Sequence, residues 1–247
     1  MTCDGLVIRV TRAGETDRVL QLLTPDNGVV MAYARAAGRP KSRLQSATSL
    51  FSYSTFSLYE RREGFTVDSA EVIRVFSGLS RDISALALGQ YFCSVCSAVL
   101  PENAGTGELL RLVLNSLHFL ETGEKDERLL KAVFELRAAA GAGFMPDLVG
   151  CETCGRYESP LMAFDISKGC VYCDEHAGQR PRVELDVISA ARLILFSPLE
   201  RIWSFSLPEQ KLAALGTLSE SWLLASVGHP MRTLDYYKSL KNIPTDG

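Results

Sequence analysis

No run of apolar residues in this chain approaches the ~20 that a helix needs to cross a bilayer. No N-terminal stretch joins a basic flank to an apolar run and a small-residue cleavage site. A membrane or exported protein is therefore not expected, and the chain reads as cytosolic. Histidine is scarce, three residues in 247, and none of them begins a His-x-Glu. That gap argues against a zinc deaminase, whose proton-transferring glutamate sits in that motif. His118 lies on a leucine-rich stretch and His229 precedes Pro230, and neither has a nucleophile or carboxylate set beside it. Internal repeats and low-complexity linkers are also lacking. The seven cysteines are an odd number, mostly in metal-like or apolar settings, which speaks against a disulfide scaffold. What remains, 47% apolar and 22% charged residues, suits an ordinary globular chain with one sizeable core or two smaller ones.

The cysteines that are present carry the strongest local signal. Cys151-x2-Cys154 and Cys170-x2-Cys173 are separated by fifteen residues, the spacing of a zinc site built from two knuckles, with Gly155 and Gly169 supplying turns. Cys151, Cys154, Cys170 and Cys173 are thus the expected ligands of a structural Zn2+. A closed four-thiolate shell has no open position for water or substrate, so no catalytic residue and no enzyme activity is expected from it. His176, three positions after Cys173, can replace a cysteine if the second knuckle shifts. Cys93 and Cys96 form a third C-x-x-C, but inside the apolar helical stretch Tyr91–Leu100, where cysteine packs as a small hydrophobe. A thiol oxidoreductase is disfavoured because the other two pairs are committed to one metal site.

The net charge of −3 conceals a segregation. No acidic residue occurs from Asn27 to Tyr59, while Arg35, Arg39, Lys41 and Arg43 fall within nine positions. Such a cluster is either a solvated loop or a phosphate-binding one, and what carries it decides. Residues 1–78 read as five short strands: Leu6–Val10, Arg18–Leu23, Gly28–Tyr33, Leu50–Glu60 and Phe65–Phe76, with turns at Thr24–Gly28 and Glu63-Gly64. Five strands in under 80 residues suit an OB-fold, a barrel that commonly takes single-stranded nucleic acid on cationic loops and aromatic faces. Most of its aromatics are expected in the core and one or two as stacking platforms.

After Gly78 the apolar period changes from two to nearer 3.6. Helices are expected from a cap at Ser80 to Leu100, from Thr106 to Glu121, over Arg128–Ala140, over Val187–Phe196 and over Gln210–Val227. The fold class is then α+β and multidomain. An N-terminal OB-fold barrel (1–78) precedes a helical bundle in two parts (79–150 and 181–247), with the four-cysteine zinc module (151–180) inserted as an excursion.

This order of parts resembles RecO, the bacterial recombination mediator family, over nearly the full length. The resemblance rests on Gly5-Leu6-Val7-Ile8-Arg9, Gly14-Glu15-Thr16-Asp17-Arg18, Thr24–Val30, the basic loop Arg35–Arg43, Ser69–Ile73 and Pro230–Leu234. The chain departs from the family where Arg35-Ala36-Ala37-Gly38 stands in place of Lys-Gly-x-Arg, and where Thr233-Leu234 replaces Ser-Arg. The resemblance implies a non-enzymatic protein of the cytoplasm and nucleoid that binds single- and double-stranded DNA and anneals complementary strands. It also implies engagement of the acidic C-terminal tail of the single-stranded-DNA-binding protein SSB on the helical domain, and help in loading RecA together with RecR. For that tail Arg111, Arg128, Lys131 and Arg137 are candidates by charge alone. The alternative is a zinc-ribbon and OB module acting on RNA, in transcription or translation.

Overall fold

The computed structural model describes residues 1–62, 64–99 and 106–241. The expected turn residue Glu63 and the expected helix end at Leu100-Pro101 lie outside the described residues. Packing divides the chain into two compact units, Met1–Thr122 with the segment from Thr233 onward, and Gly123–Arg232.

The first unit opens with β1 (Thr2–Ala13), β2 (Asp17–Thr24), β3 (Gly28–Ala34), β4 (Ser52–Glu60) and β5 (Phe65–Val75). They close into a barrel in the order β1-β2-β3-β5-β4. Neighbouring strands are antiparallel except β3 and β5, which meet in parallel at Ala32–Phe65 and Tyr33–Thr66. This is the five-stranded barrel of an OB-fold. Period-two alternation turns Leu20 and Leu22 of β2, Val30, Ala32 and Ala34 of β3, and Phe56 and Leu58 of β4 into the core. The other face of β4 leaves Tyr53 half-buried and Tyr59 exposed. Between β2 and β3 the Thr24 hydroxyl accepts from Asn27 N at 3.2 Å and donates to Gly28 O at 3.0 Å, closing the expected turn.

A short 3-10 turn (Ser77–Arg81) leads into α1 (Ile83–Val99), and α2 (Gly107–Thr122) follows. Ser80 does not cap α1 as expected, because its hydroxyl turns back to Ser77 O at 2.7 Å. Asp82 does so instead, its carboxylate accepting from Ser84 N at 2.7 Å and Ala85 N at 3.3 Å. Cys93 and Cys96 are buried within α1 and burial pushes both thiols up, which matches a packing role and not a redox one. Thr106, at the start of α2, donates its backbone N–H to Pro25 O at 2.8 Å and its hydroxyl to Thr24 O.

In the second unit α3 (Glu127–Gly141) is capped by Asp126, which accepts from Arg128 N at 2.8 Å, and packs against α4 (Leu185–Phe196) and α5 (Glu209–Val227). Between α3 and α4 the chain makes a four-stranded sheet in the order β6-β8-β7-β9: β6 (Asp147–Cys151), β7 (Leu161–Asp165), β8 (Cys170–Cys173) and β9 (Arg182–Glu184). Where a pair of knuckles was expected, this segment is a sheet. A last helix, α6 (Arg232–Lys241), falls where sequence patterning marks no element, since it buries only Leu234 and Tyr237. Among the described residues no helix is long and apolar enough to cross a membrane.

Candidate metal centre and nucleic-acid interface

The first C-x-x-C forms a tight knuckle at the end of β6. Gly155 N donates to Cys151 O at 2.7 Å and Cys151 N to Arg156 O at 2.9 Å, with Gly155 at φ +72°, a conformation that glycine adopts without a Cβ penalty. After β8 a 3-10 turn (Asp174–His176) swings His176 toward this knuckle. His176 Nδ1 lies 3.2 Å from Cys173 Sγ and 3.7 Å from Cys151 Sγ, and the sulfurs of Cys154 and Cys173 are 3.8 Å apart. Ligand atoms of Cys151, Cys154, Cys173 and His176 all lie within 4.8 Å of one another. Two thiolates on a tetrahedral Zn2+ at ~2.3 Å stand about 3.8 Å apart, so the spacing fits such an ion, as does a donor set of three sulfurs and one imidazole nitrogen. Burial pushes the Cys151 thiol up, but N–H donors at Cys173, Cys154 and Thr153 outweigh it and bring its pKa down to about 6.

Three of the four expected cysteines are thus brought together and Cys170 is not; His176 stands in its place. The second C-x-x-C is not a knuckle but strand β8, hydrogen-bonded to β6 on one side and β7 on the other. Cys170 packs in the same buried cluster as Cys151 and Cys173, but its sulfur is not among the four ligand atoms that gather. Cys170 is buried beside Tyr172, and burial raises its thiol.

Sequence reading missed the residue that ties this module to the bundle. Arg192 of α4 is 5% exposed and reaches out of the helix. Its Nε donates to Leu148 O at 2.7 Å, and Nη2 donates to Tyr157 O at 2.7 Å and Val149 O at 3.3 Å. Its guanidinium stacks on the Tyr157 ring at 4.0 Å. These carbonyls flank the first knuckle on both sides. A buried arginine among apolar helix residues is the one signal in the sequence that could have marked it, since such a charge has to find partners.

Arg35, Arg39, Lys41 and Arg43 all lie exposed on the connection between β3 and β4. Among the described residues none of the four side chains makes a hydrogen bond or ion pair. The connection is a chain of turns, with Arg39 N on Ala36 O at 3.2 Å, Ser42 N on Arg39 O at 3.1 Å and Gln45 N on Ser42 O at 3.1 Å. Strand register places the β1–β2 turn, the end of β3 and the β4–β5 hairpin at one end of the barrel: Arg12 pairs with Arg18, Arg18 with Ala34, and Glu60 with Phe65. The exposed Arg12, Arg61 and Arg62 therefore belong to the same rim, and Arg61 lies over the Tyr33 ring at 5.7 Å. Tyr59, 64% exposed one residue from the hairpin, is the aromatic most open to a base.

The helical cations expected by charge alone have structural work. Arg128 pairs with Asp126 at 2.8 Å and Glu209 at 3.0 Å. Lys131 is buried between Glu135 at 2.7 Å and Glu220 at 2.8 Å, and Glu135 also accepts from Ser219 Oγ at 2.6 Å. Arg137 donates to Leu195 O at 3.0 Å near the end of α4. Arg111 is also engaged.

Comparison with known proteins places these features. Residues 1–76 match the family model for the recombination protein O N terminal, and residues 80–235 that for the recombination protein O C terminal. The DNA repair protein RecO of Acetivibrio thermocellus is 29% identical over 242 residues, covering 97% of this chain and 96% of its own. That of Symbiobacterium thermophilum is 27% identical over 245 residues, with 97% of each chain covered. A RecO of Dehalococcoides mccartyi is 30% identical over 170 residues, 68% of this chain and 67% of its own.

Proposed function

The chain belongs to the RecO family, and from that premise we propose that it is a DNA-repair and recombination mediator with no catalytic activity of its own. It acts in the cytoplasm at the nucleoid. The barrel, residues 1–78, binds single- and double-stranded DNA and brings complementary strands together. The helical parts, 79–150 and 181–247, take the SSB tail, and with RecR the protein helps load RecA. In the zinc module, 151–180, Cys151, Cys154, Cys173 and His176 would hold a structural Zn2+, which would tie β6 to the end of β8 without taking part in chemistry.

The observation that carries this reading is the row of four unpaired cations on the rim of a closed barrel. Exposed cations that make no hydrogen bond or close ion pair are free to displace the counterions of a phosphate backbone, a contact that ignores base sequence. An exposed tyrosine nearby accepts any base face. Sequence-tolerant binding of this kind is what a protein that anneals arbitrary strands needs.

Two measurements test it. If each cation meets one phosphate of a single strand, log affinity against log salt has a slope of about −3, from roughly −0.7 per contact. Replacing Arg39 and Lys41 by alanine flattens that slope by more than one unit and weakens all sequences alike. An unchanged slope moves the DNA elsewhere on the rim. Annealing of SSB-coated complementary strands separates the mediator from an RNA-directed module, which has no reason to act on that complex. Failure to anneal, together with failure to bind the SSB tail, overturns the proposal.

A further inference from the structure

The segment Gly14-Glu15-Thr16-Asp17-Arg18 is part of the resemblance to the family, yet no part of the function described so far uses it. It makes the turn between β1 and β2 and the first residues of β2, and its polar atoms go to the cationic loop. The Thr16 carbonyl accepts from Gly38 N at 2.7 Å. The Asp17 carboxylate accepts from Ala36 N at 2.7 Å and from the Tyr33 hydroxyl. Arg18 Nη1 donates to Gln45 O at 3.0 Å and to Thr48 Oγ1 at 3.0 Å. Tyr33 and Ala36 flank Arg35, Gly38 precedes Arg39, and Gln45 and Thr48 follow Arg43, so the contacts bracket all four cations.

Two further features show that this contact shapes the loop and does not merely satisfy it. Ala36 sits at φ +52°, a region that residues with a Cβ avoid, and its N–H is the one held by Asp17. Gly38 comes so near that a Cβ there would stand 3.0 Å from the Thr16 carbonyl oxygen. Resting on the reading that this loop meets nucleic acid, we propose that Asp17, supported by the Thr16 backbone and Arg18, is the positioning residue of the DNA-binding loop. It holds Arg35, Arg39, Lys41 and Arg43 in one arrangement before DNA arrives, so that binding does not have to order a mobile chain.

The sign of one substitution separates this role from a simple charge effect. Asp17 is an acid beside Arg35, so its removal makes the rim more positive, and charge alone would tighten the hold on DNA. Positioning demands the reverse. In full-length, metal-loaded protein, Asp17→Ala is expected to bind an oligothymidine strand about three- to tenfold more weakly, the equivalent of one or two side chains left to be ordered on binding. Tyr33→Phe removes one of the hydrogen bonds to the carboxylate without changing charge, and about a twofold loss is expected. Amide hydrogen exchange at Ala36 and Gly38 should quicken about tenfold in Asp17→Ala while the strand amides of β2 keep their rates. Affinity that is unchanged or tighter in Asp17→Ala overturns the proposal, whatever the exchange shows. Should Asp17→Ala not fold, Tyr33→Phe decides, and wild-type affinity with wild-type exchange in that variant overturns it. The Arg39→Ala, Lys41→Ala protein is measured alongside. If it keeps full affinity, the reading of the loop as DNA-binding has failed, and exchange in Asp17→Ala still reports whether the staple exists.

Discussion

In the barrel ten buried residues make the central cluster, among them Leu20, Leu22, Phe56 and Leu58; beside the candidate metal site the corresponding cluster has four, and three of them are cysteines. Burial of large side chains suffices for a closed sheet of five strands. The short sheet β6–β9 also buries Leu148, Met162, Ala163 and Val171 completely, but over fewer and shorter strands. Polar bonds add to this smaller core: the candidate metal site, the buried guanidinium of Arg192, and ion pairs such as Arg180–Asp165 at 2.7 Å. The contrast shows where each region is vulnerable. Barrel stability rests on apolar burial, whereas the smaller sheet adds to its burial a few polar atoms whose loss is costly.

Loss of the metal is the largest expected effect and should be confined to one side of the comparison. Structural zinc in finger peptides binds with roughly 10–16 kcal/mol of apparent free energy, and that energy is folding energy. Cys154→Ala or His176→Ala should lower zinc content and expose residues 150–180 to protease while the barrel stays folded. Cys170→Ala should keep its zinc, because that thiol lies outside the group. Metal analysis with limited proteolysis checks all three, and zinc loss in Cys170→Ala alone would restore the four-cysteine site.

Phe56→Ala reverses the comparison. Phe56 is completely buried in the barrel, and its truncation should cost about 3–5 kcal/mol through lost burial and the cavity left behind. Denaturant unfolding should show that loss with zinc content unchanged. Arg192→Met comes next: it keeps most of the volume but leaves the carbonyls of Leu148, Val149 and Tyr157 without their donor, for roughly 1–3 kcal/mol. Faster zinc release to a chelator is the readout, with the barrel transition unmoved.

The smallest effect concerns pH. Hydrogen bonds from Ser167 and then from Arg180 hold Asp165 down to about 2. A depressed carboxylate stabilises the fold above its unfolded value near 4, and that contribution is lost as pH falls toward 2. Partial solvent exposure limits it to under ~1 kcal/mol. Asp165→Asn should therefore lower stability slightly at neutral pH, and the difference from wild type should shrink as pH falls toward 2, as denaturant unfolding of the two metal-loaded proteins at a series of pH values would show.

Much of this was legible beforehand because it depends on neighbours in the chain. The barrel strands follow from alternation at Leu20 and Leu22 and from the turn at Thr24–Gly28. The first knuckle follows from Cys151-x2-Cys154-Gly155. What stayed hidden involves partners far away in sequence. Nothing near Asp17 announces that its carboxylate will accept from Ala36, nor does anything near Arg192 announce that it will reach Leu148. Ser80 and Asp82 are both good helix caps, and only the direction in which the Ser80 hydroxyl turns settles which one serves.

The candidate metal site shows the division most clearly. Sequence alone determined that Cys151 and Cys154 would face one point, because a C-x-x-C beside a glycine closes into a knuckle by local backbone geometry. Only the tertiary structure decided that His176 and not Cys170 joins them and Cys173 to complete the group. That choice depends on β8 being hydrogen-bonded on both edges, which draws the second pair out into an extended strand instead of a second knuckle.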